Sequence, residues 1–217
     1  YYNSSHNIVL PPLVDSNEKK WYEKEQVLPS FDGVRLIYAG NPAKKDLLET
    51  MFQTILNCIN EGLKIQFVIV GISKDSISHY SNYQEIISLS NNFIICGKIP
   101  QEKVPAYYHF ANLLIIRKPN RKTTAGFPTK LVESMMASCP VITNITSDIS
   151  DYIKDGYNGY VISNASAKEL QKLLIHVSKL SRRELDQMKI RAKETAKEKF
   201  DYSNHIEKMA AFITKIN

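Results

Sequence analysis

The stretch Leu113–Thr143 reads LLIIRKPNRKTTAGFPTKLVESMMASCPVIT, and it decides the fold. Two apolar runs, Leu113–Ile116 and Pro140–Thr143, enclose a segment, Thr129–Ser138, whose apolar residues recur with the period of a helix. This order predicts a strand, a helix and a second strand. Because strands joined through a helix lie parallel in one sheet, the stretch indicates an α/β fold.

The same alternation of short apolar runs and longer amphipathic runs extends in both directions. We predict strands over Arg35–Ala39, Ile65–Val70, Phe93–Cys96, Leu113–Ile116, Pro140–Thr143 and Tyr160–Ile162. We predict helices over Lys44–Glu61, Tyr83–Leu89, Glu102–Phe110, Thr129–Ser138, Ile149–Lys154, Ala167–Leu180, Arg182–Lys199 and Ser203–Ile216. The expected architecture is a three-layer α/β fold around a parallel sheet of about six strands, followed by C-terminal helices.

Composition restricts the class of protein. The chain has 217 residues, of which 43% are hydrophobic and 23% charged, as in ordinary globular proteins. No apolar run approaches the roughly 20 residues that span a bilayer, and Tyr1–Pro12 lacks the features of a secretion signal. We expect a cytoplasmic protein. The cysteines and histidines lack metal-ligand spacing, so buried thiols and no metal site are expected.

The densest chemical signal is Arg117–Glu133, which runs from a strand end through a basic loop and a glycine into a helix start marked by Pro128 and Thr129. Backbone N–H groups and the positive end of the helix dipole point to one spot there, so an anion such as a phosphate is expected. Glu133, about one turn inside the helix, either accepts hydrogen bonds from sugar or ribose hydroxyls or merely offsets the dipole.

Glycines follow three predicted strands at Gly40, Gly71 and Gly97, which favours a ligand crevice at the carboxyl ends of the sheet. The turn Gly40–Asp46 places Lys44 and Lys45 at a helix start, where cations are unfavourable unless an anion joins them. This turn matches neither GxGxxG nor GxxxxGK[ST], which argues against a dinucleotide-binding protein or a P-loop nucleoside triphosphatase.

The stretch Ala125–Ile142, AGFPTKLVESMMASCPVI, resembles the donor-binding motif of retaining GT-B glycosyltransferases of the family 4 group. Smaller pieces agree with that family in order and spacing: Tyr38–Gly40, Ile69–Gly71, Cys96–Pro100 and Asp155–Tyr160. The resemblance covers nearly the whole chain after Val34. It implies a Rossmann-like domain that forms one half of a GT-B fold.

The resemblance also implies roles for individual residues. Lys45 and Arg117 would contact the donor diphosphate, and Glu133 would hold the ribose hydroxyls. Backbone amides of four residues would line the diphosphate: Gly126, Phe127, Pro128 and Thr129. The base would be held at the end of the third strand, at Lys98 and Ile99. The remaining residues expected along the donor are Gly40, Asn41, Gly71, Arg121, Lys130 and Leu131.

By the same resemblance, the chain would bind a nucleoside-diphosphate sugar and stabilise the leaving diphosphate during retaining transfer to a hydroxyl acceptor, in polysaccharide or glycan synthesis and without a metal. Residues 1–30 would form an interdomain crossover, residues 31–202 the donor-binding domain, and residues 203–217 a helix that leads back to an N-terminal acceptor-binding domain. The chain alone would be inactive without that domain.

Two positions depart from the family pattern. The first glutamate of the family's E-x7-E pair is replaced by Ala125, so no carboxylate is available there for the transferred sugar. The arginine usual after the first glycine is Asn41, which leaves Lys45, Arg117 or Arg121 to neutralise the diphosphate.

Two other functions stay open from the sequence. One is a nucleotide-sugar epimerase of the same architecture. The other is a non-catalytic module whose basic surface, in a chain of net charge +6, docks to partners or to an anionic membrane. Nucleic-acid binding is disfavoured, because basic and aromatic residues do not interleave.

Overall fold

The computed structural model describes residues 7–41, 47–118, 127–145, 148–163 and 166–216. Within them, six strands form one parallel sheet in the order β3-β2-β1-β4-β5-β6. The strands are β1 Val34–Ala39, β2 Ile65–Val70, β3 Phe93–Gly97, β4 Leu113–Ile116, β5 Val141–Asn144 and β6 Gly159–Ile162. The predicted parallel sheet is confirmed.

The helices among the described residues are α1 Leu48–Asn60, α2 Tyr83–Ser88, α3 Val104–Phe110, α4 Thr129–Met136, α5 Ala167–Val177, α6 Arg182–Phe200 and α7 Ile206–Ile216. The predicted helix Ile149–Lys154 is wrong: only a single 3-10 turn forms, Ile149–Asp151. The chain reverses at once, since the Asn158 side chain accepts the Lys154 N–H and Gly156 has φ of 69°. A 3-10 turn also replaces the predicted helix start at Ser203.

The sheet is covered on both faces, and β1 shows how. All residues of β1 are buried. Leu36 and Tyr38 belong to a hydrophobic cluster with α1 and α5, whereas Ile37 and Ala39 belong to a second cluster with α3, α4 and α6. This two-residue alternation is the pleat of a strand between two layers of helices. The expected three-layer architecture is confirmed.

The order of the strands creates a crevice beside β1. β1 pairs in parallel with β2 on one edge and with β4 on the other. The direction in which the chain winds therefore reverses between β1 and β4. In open parallel sheets, ligands bind at the carboxyl ends of strands at such a reversal.

The segment that precedes β1 is fixed to the end of α6. The Val14 N–H donates to the Phe200 carbonyl at 2.9 Å, and the Tyr202 N–H donates to the Val14 carbonyl at 3.0 Å. Farther along this segment, Trp21 and Leu28 are buried in the cluster that contains α3, α4 and α6. Residues of the predicted crossover thus pack on the domain, and the domain boundaries themselves stay predictions.

Asp201 links these two parts of the chain and gives a testable pH dependence. Its carboxylate accepts hydrogen bonds from the N–H groups of Ser16 and Ser203 at 2.9 and 2.8 Å. Burial opposes its ionisation, but these hydrogen bonds outweigh burial and lower the pKa of Asp201 from 3.8 to about 2. The carboxylate therefore stabilises the fold above pH 3.8, and this contribution is lost as the pH falls towards 2.

We expect Asp201→Asn to lower the free energy of unfolding at pH 7 by about 2 kcal/mol, the value of hydrogen bonds to a charged group. The difference from the wild type should shrink as the pH falls below the ordinary carboxyl range. Urea unfolding at pH 7 and near pH 3 measures both effects. Asp151→Asn, at an exposed carboxyl group, is the control, and an equal loss in both variants would contradict the assignment.

Candidate donor site

Backbone turns at the carboxyl ends of β1, β2 and β3 lie side by side. Gly40, Gly71 and Gly97 have φ of 123°, 95° and 68°, in the left-handed region that favours glycine. The Gly71 N–H donates to the Gly97 carbonyl at 2.7 Å, and a Cβ on Gly71 would lie 2.9 Å from the Gly40 carbonyl oxygen. The predicted alignment of glycines is confirmed, and it forms a rim of bare backbone beside the crevice.

The helix that follows β4 begins at this crevice. α4 starts at Thr129, and the preceding residue, Pro128, has φ of −76°. No described side chain caps this start, so the positive end of the helix dipole is not offset there. One expectation needs correction: Pro128 has no N–H to donate to a phosphate, and its part is to fix the backbone. Thr129 is exposed at the helix start.

Lys130 connects α4 with the Gly40 turn. Its ammonium lies 4.5 Å from the centroid of the buried Tyr38 ring in β1. The same nitrogen lies 3.5 Å from the position that a Cβ on Gly40 would occupy. The start of α4 therefore lies beside Gly40, at the carboxyl end of β1.

Leu131 lies beneath the helix start. Its side chain is fully buried, and its N–H donates to the Pro128 carbonyl at 2.9 Å. The structure thus places the Leu131 side chain in the core, where it anchors α4, and not along the crevice.

Arg117 directly follows β4 and is completely buried. Burial lowers the pKa of its guanidinium, and the negative charge of Glu169 on α5 partly offsets that effect. The sequence placed Arg117 at the strand end correctly but did not indicate its burial beside an acid. Its contact with a diphosphate stays a prediction.

Glu133 faces a cavity of about 330 Å³ that is lined by Lys20, Trp21, Gln101, Glu102, Pro105 and Glu133 itself. Burial raises the pKa of the Glu133 carboxyl group. A hydrogen bond with the Gln101 side chain and the charges of Lys20 and Lys130 act in the opposite direction. Lys20 and Trp21 are residues that the sequence did not point to, because they lie more than a hundred positions from Glu133.

The other expected site residues are less informative. Asn41 and Lys98 are exposed, and Ile99 packs partly against the cluster of α3, α4 and α6. Lys45, Arg121 and Gly126 lie outside the described residues, as does Ala125.

The family of the chain follows from a match to a known family model. The model described as "Glycosyl transferases group 1" matches residues 26–196, which is most of the chain. The chain belongs to this family. The resemblance to GT-B glycosyltransferases is thereby confirmed. The comparison with curated proteins found no match.

Solved structures with this fold are also glycosyltransferases. Sucrose-phosphate synthase from Thermosynechococcus elongatus matches with a TM-score of 0.70 at 16% identity, over 95% of this chain and 52% of its own. A mutant of S. aureus TarM, in complex with Fondaparinux, alpha-GlcNAc-glycerol and UDP, gives 0.69 at 17% identity, over 88% and 37%. Anabaena HepE in complex with UDP and glucose gives 0.67 at 14%, over 84% and 48%.

At identities of 14 to 17%, these three matches show the fold alone, which is that of GT-B domains. The chain spans about half or less of the length of the three proteins.

In this group 1 domain, an aromatic cluster holds Phe127, two residues before the α4 start. The Phe127 ring lies 5.2 Å from the ring of Tyr152 and 5.9 Å from that of Phe200. Phe200 ends α6, so the C-terminal helices support the start of α4. The sequence motif marked Phe127 but not these partners.

A larger cavity of about 910 Å³ lies at the amino ends of the strands. Its lining includes Gly33, Lys64 and Asn112, which directly precede β1, β2 and β4. Arg35, also in its lining, donates to the Gln66 side chain at 2.6 Å and to the Pro29 carbonyl at 2.5 Å. Its buried cation is thus satisfied by the chain itself. None of the expected site residues that the structure describes lines this cavity.

The close approach of Gly71 to Gly40 can be tested with a matched pair of substitutions. Gly71→Ala places a methyl group 2.9 Å from backbone and requires an alanine at φ of 95°. Gly62→Ala requires nearly the same φ, 91°, but its methyl group meets nothing within 4 Å.

We expect Gly62→Ala to cost about 1 kcal/mol for the left-handed backbone, and Gly71→Ala to cost at least about 1 kcal/mol more because backbone must shift. Urea unfolding of both variants measures the difference. Equal losses would show that the Gly40 and Gly71 turns are not in close contact.

Proposed function

We propose that this chain is the donor-binding domain of a retaining glycosyltransferase and that its donor is a UDP-sugar. The observation that supports this most directly is the arrangement at α4. A helix start that no described side chain caps, the ammonium of Lys130 and a rim of glycine backbone lie together at the reversal of the sheet, and Glu133 follows one turn later. The TarM and HepE structures are complexes that contain UDP.

The charged groups of the site suit different parts of the donor. The helix start and Lys130 suit the diphosphate, because N–H groups, the helix dipole and a cation all favour negative charge there. They also suit the transition state, in which the leaving diphosphate gains charge. In our proposal Lys45, Arg117 and Arg121 add positive charge, so that basic groups and not a metal neutralise the diphosphate.

Glu133 suits the ribose. A carboxylate accepts hydrogen bonds and repels phosphate, so in this proposal it binds hydroxyl groups next to the diphosphate. The cavity of about 330 Å³ beside Glu133 offers space for the nucleoside. Ala125 supplies no carboxylate for the transferred sugar, and the proposal therefore leaves the hexose unspecified.

The whole protein, in this proposal, builds a polysaccharide or glycan at the cytoplasmic face of a membrane. The acceptor would bind on an N-terminal domain, which fits the observation that the chain spans half or less of the matched glycosyltransferases. Transfer of the sugar then requires both domains.

Calorimetric titration of the chain with UDP, GDP and UDP-glucose tests the donor site. We expect UDP to bind, and Glu133→Ala to weaken it by about tenfold or more, the loss of hydrogen bonds to a charged group. Glu194→Ala, at an exposed helical position, is the control and should bind as the wild type does. EDTA should leave the affinity unchanged. No binding of either nucleotide, or no effect of Glu133→Ala, would refute the proposal.

Contact with an anionic membrane is the second part of the proposal, and a lysine patch formed by Lys24, Lys193 and Lys197 supports it. The Lys193 and Lys197 ammoniums lie 3.8 and 5.5 Å from the ring centroid of Tyr22, which is 46% exposed. Burial lowers the pKa of Lys193, and the charges of Lys197 and Lys24 lower it further. None of the three lysines forms a salt bridge with a described residue. Clustered cations beside an exposed tyrosine suit an anionic lipid surface.

Among the residues that the structure describes, no helix is long and apolar enough to cross a membrane. Binding through the lysine patch would therefore be peripheral.

Vesicles of phosphatidylcholine with phosphatidylglycerol test the lysine patch. At roughly 1 kcal/mol for each lysine, Lys24→Gln with Lys197→Gln should weaken binding by about thirtyfold at low salt. Lys172→Gln with Lys179→Gln changes the net charge equally on exposed positions of another surface and is the control. Equal losses in the two double variants would show that net charge acts and the patch does not.

A further inference from the structure

The crossover segment contributes a charged side chain to the cavity beside Glu133. Lys20 lines this cavity together with Trp21, Gln101 and Glu133. Trp21 is 2% exposed, and its indole N–H donates to the Asp15 carbonyl at 2.8 Å, so the backbone that carries Lys20 is fixed. The Lys20 ammonium lies 4.5 Å from the centroid of the Trp21 ring. A buried ring thus supports the lysine at the mouth of the cavity.

We propose that Lys20 is a positioning residue of the donor site, which keeps Glu133 a carboxylate directed into the cavity where it accepts the ribose hydroxyls. The inference rests on the proposed function, and it adds a role for the crossover segment that the motif at α4 does not contain.

The charged surroundings of Glu133 show why such a residue is needed. Burial disfavours the carboxylate and raises the pKa of Glu133. Glu102 lines the same cavity, and the buried Tyr108 of α3 has a pKa that is raised by burial and then by the Glu133 charge. Among the described residues, only Lys20 and Lys130, besides the hydrogen bond from Gln101, act to lower the pKa of Glu133.

The two lysines differ in what else they contact. Lys130 is directed towards Tyr38 and Gly40, at the place proposed for the diphosphate. When a diphosphate binds there, its negative charge offsets that of Lys130. Lys20 lines the cavity proposed for the nucleoside, whose lining does not include Lys130, so it continues to favour the carboxylate while the donor is bound.

Lys20 is shared between two acids. In this structure its ammonium lies 2.7 Å from the Glu18 carboxylate, with 34% and 44% of the two side chains exposed. Exposed ion pairs are weak, so Glu18 competes for Lys20 without removing its effect on Glu133. Removal of Glu18 should therefore strengthen the effect by which Lys20 lowers the pKa of Glu133. Removal of Lys20 should abolish that effect.

The experiment compares the affinity for UDP with that for 2′,3′-dideoxy-UDP from pH 5 to pH 8. The ratio of the two affinities reports the ribose hydroxyls alone, because any attraction between Lys20 and the diphosphate affects both nucleotides equally. The ratio should fall as the pH falls, since protonated Glu133 accepts these hydrogen bonds poorly.

In Lys20→Met, which keeps the aliphatic stem, we expect the fall in this ratio to occur about 0.5 to 1 pH unit higher than in the wild type, the effect of losing one nearby opposite charge. Lys20→Arg should restore the wild-type profile, and Glu18→Gln should shift it to lower pH. The control is Lys19→Met, which removes the same charge from an exposed neighbour.

Two failures can be told apart. If the wild type distinguishes UDP from the dideoxy nucleotide but Lys20→Met follows the same profile as Lys19→Met, Lys20 does not position Glu133 and the inference is wrong. If the wild type binds neither nucleotide, or binds both equally at every pH, the proposed role of Glu133 fails, and the inference fails with it.

Discussion

The position of β1 between β2 and β4 is the constraint on which the rest of the domain depends. A strand that pairs on both edges and is covered on both faces must be almost wholly apolar, and Val34–Ala39 meets this demand. Its one charged residue, Arg35, is satisfied by neighbouring oxygens. Because the winding of the chain reverses at β1, the helices that follow β1 and β4 lie on opposite faces of the sheet, and a crevice is expected between them. Among the six described strands, the winding reverses at no other place.

The groups around the crevice lower the stability of the domain without a ligand. A lysine in the first turn of α4 opposes the helix dipole, and each glycine loses more conformational entropy on folding than another residue would. Packing against the Tyr38 ring compensates for part of the cost at Lys130. Residues that are locally unfavourable occur in proteins mainly at functional sites. Here Lys130 and the Gly40 turn, both locally unfavourable, lie next to each other.

The sequence predicted those features that depend on neighbouring residues. Strands such as Leu113–Ile116 are uninterrupted apolar runs, and α4 follows from its period and its start signals. The predicted helix at Ile149 was wrong because the Asn158 side chain and a glycine turn end it after a few residues, and the sequence pattern does not reveal such a contact.

The parts of the site that the sequence missed depend on pairs of distant residues. Lys20 meets Glu133 across the domain, and Phe127 meets Phe200 at the far end of α6. The burial of Arg117 beside Glu169 is of the same kind. Such pairs are set by how the layers pack, and periodicity within a segment carries no information on them.

The contact of Val14 with Phe200 and Tyr202 has a mechanical consequence. The segment that enters the domain and the one that leaves α6 lie side by side, joined by hydrogen bonds of 2.9 and 3.0 Å. A neighbouring domain attached through both segments would be held by two parallel connections and not by a single flexible one. Such a double attachment permits bending about one axis and resists twist and separation. The direction of closure of the crevice would then be set by the backbone at Val14 and Asp201.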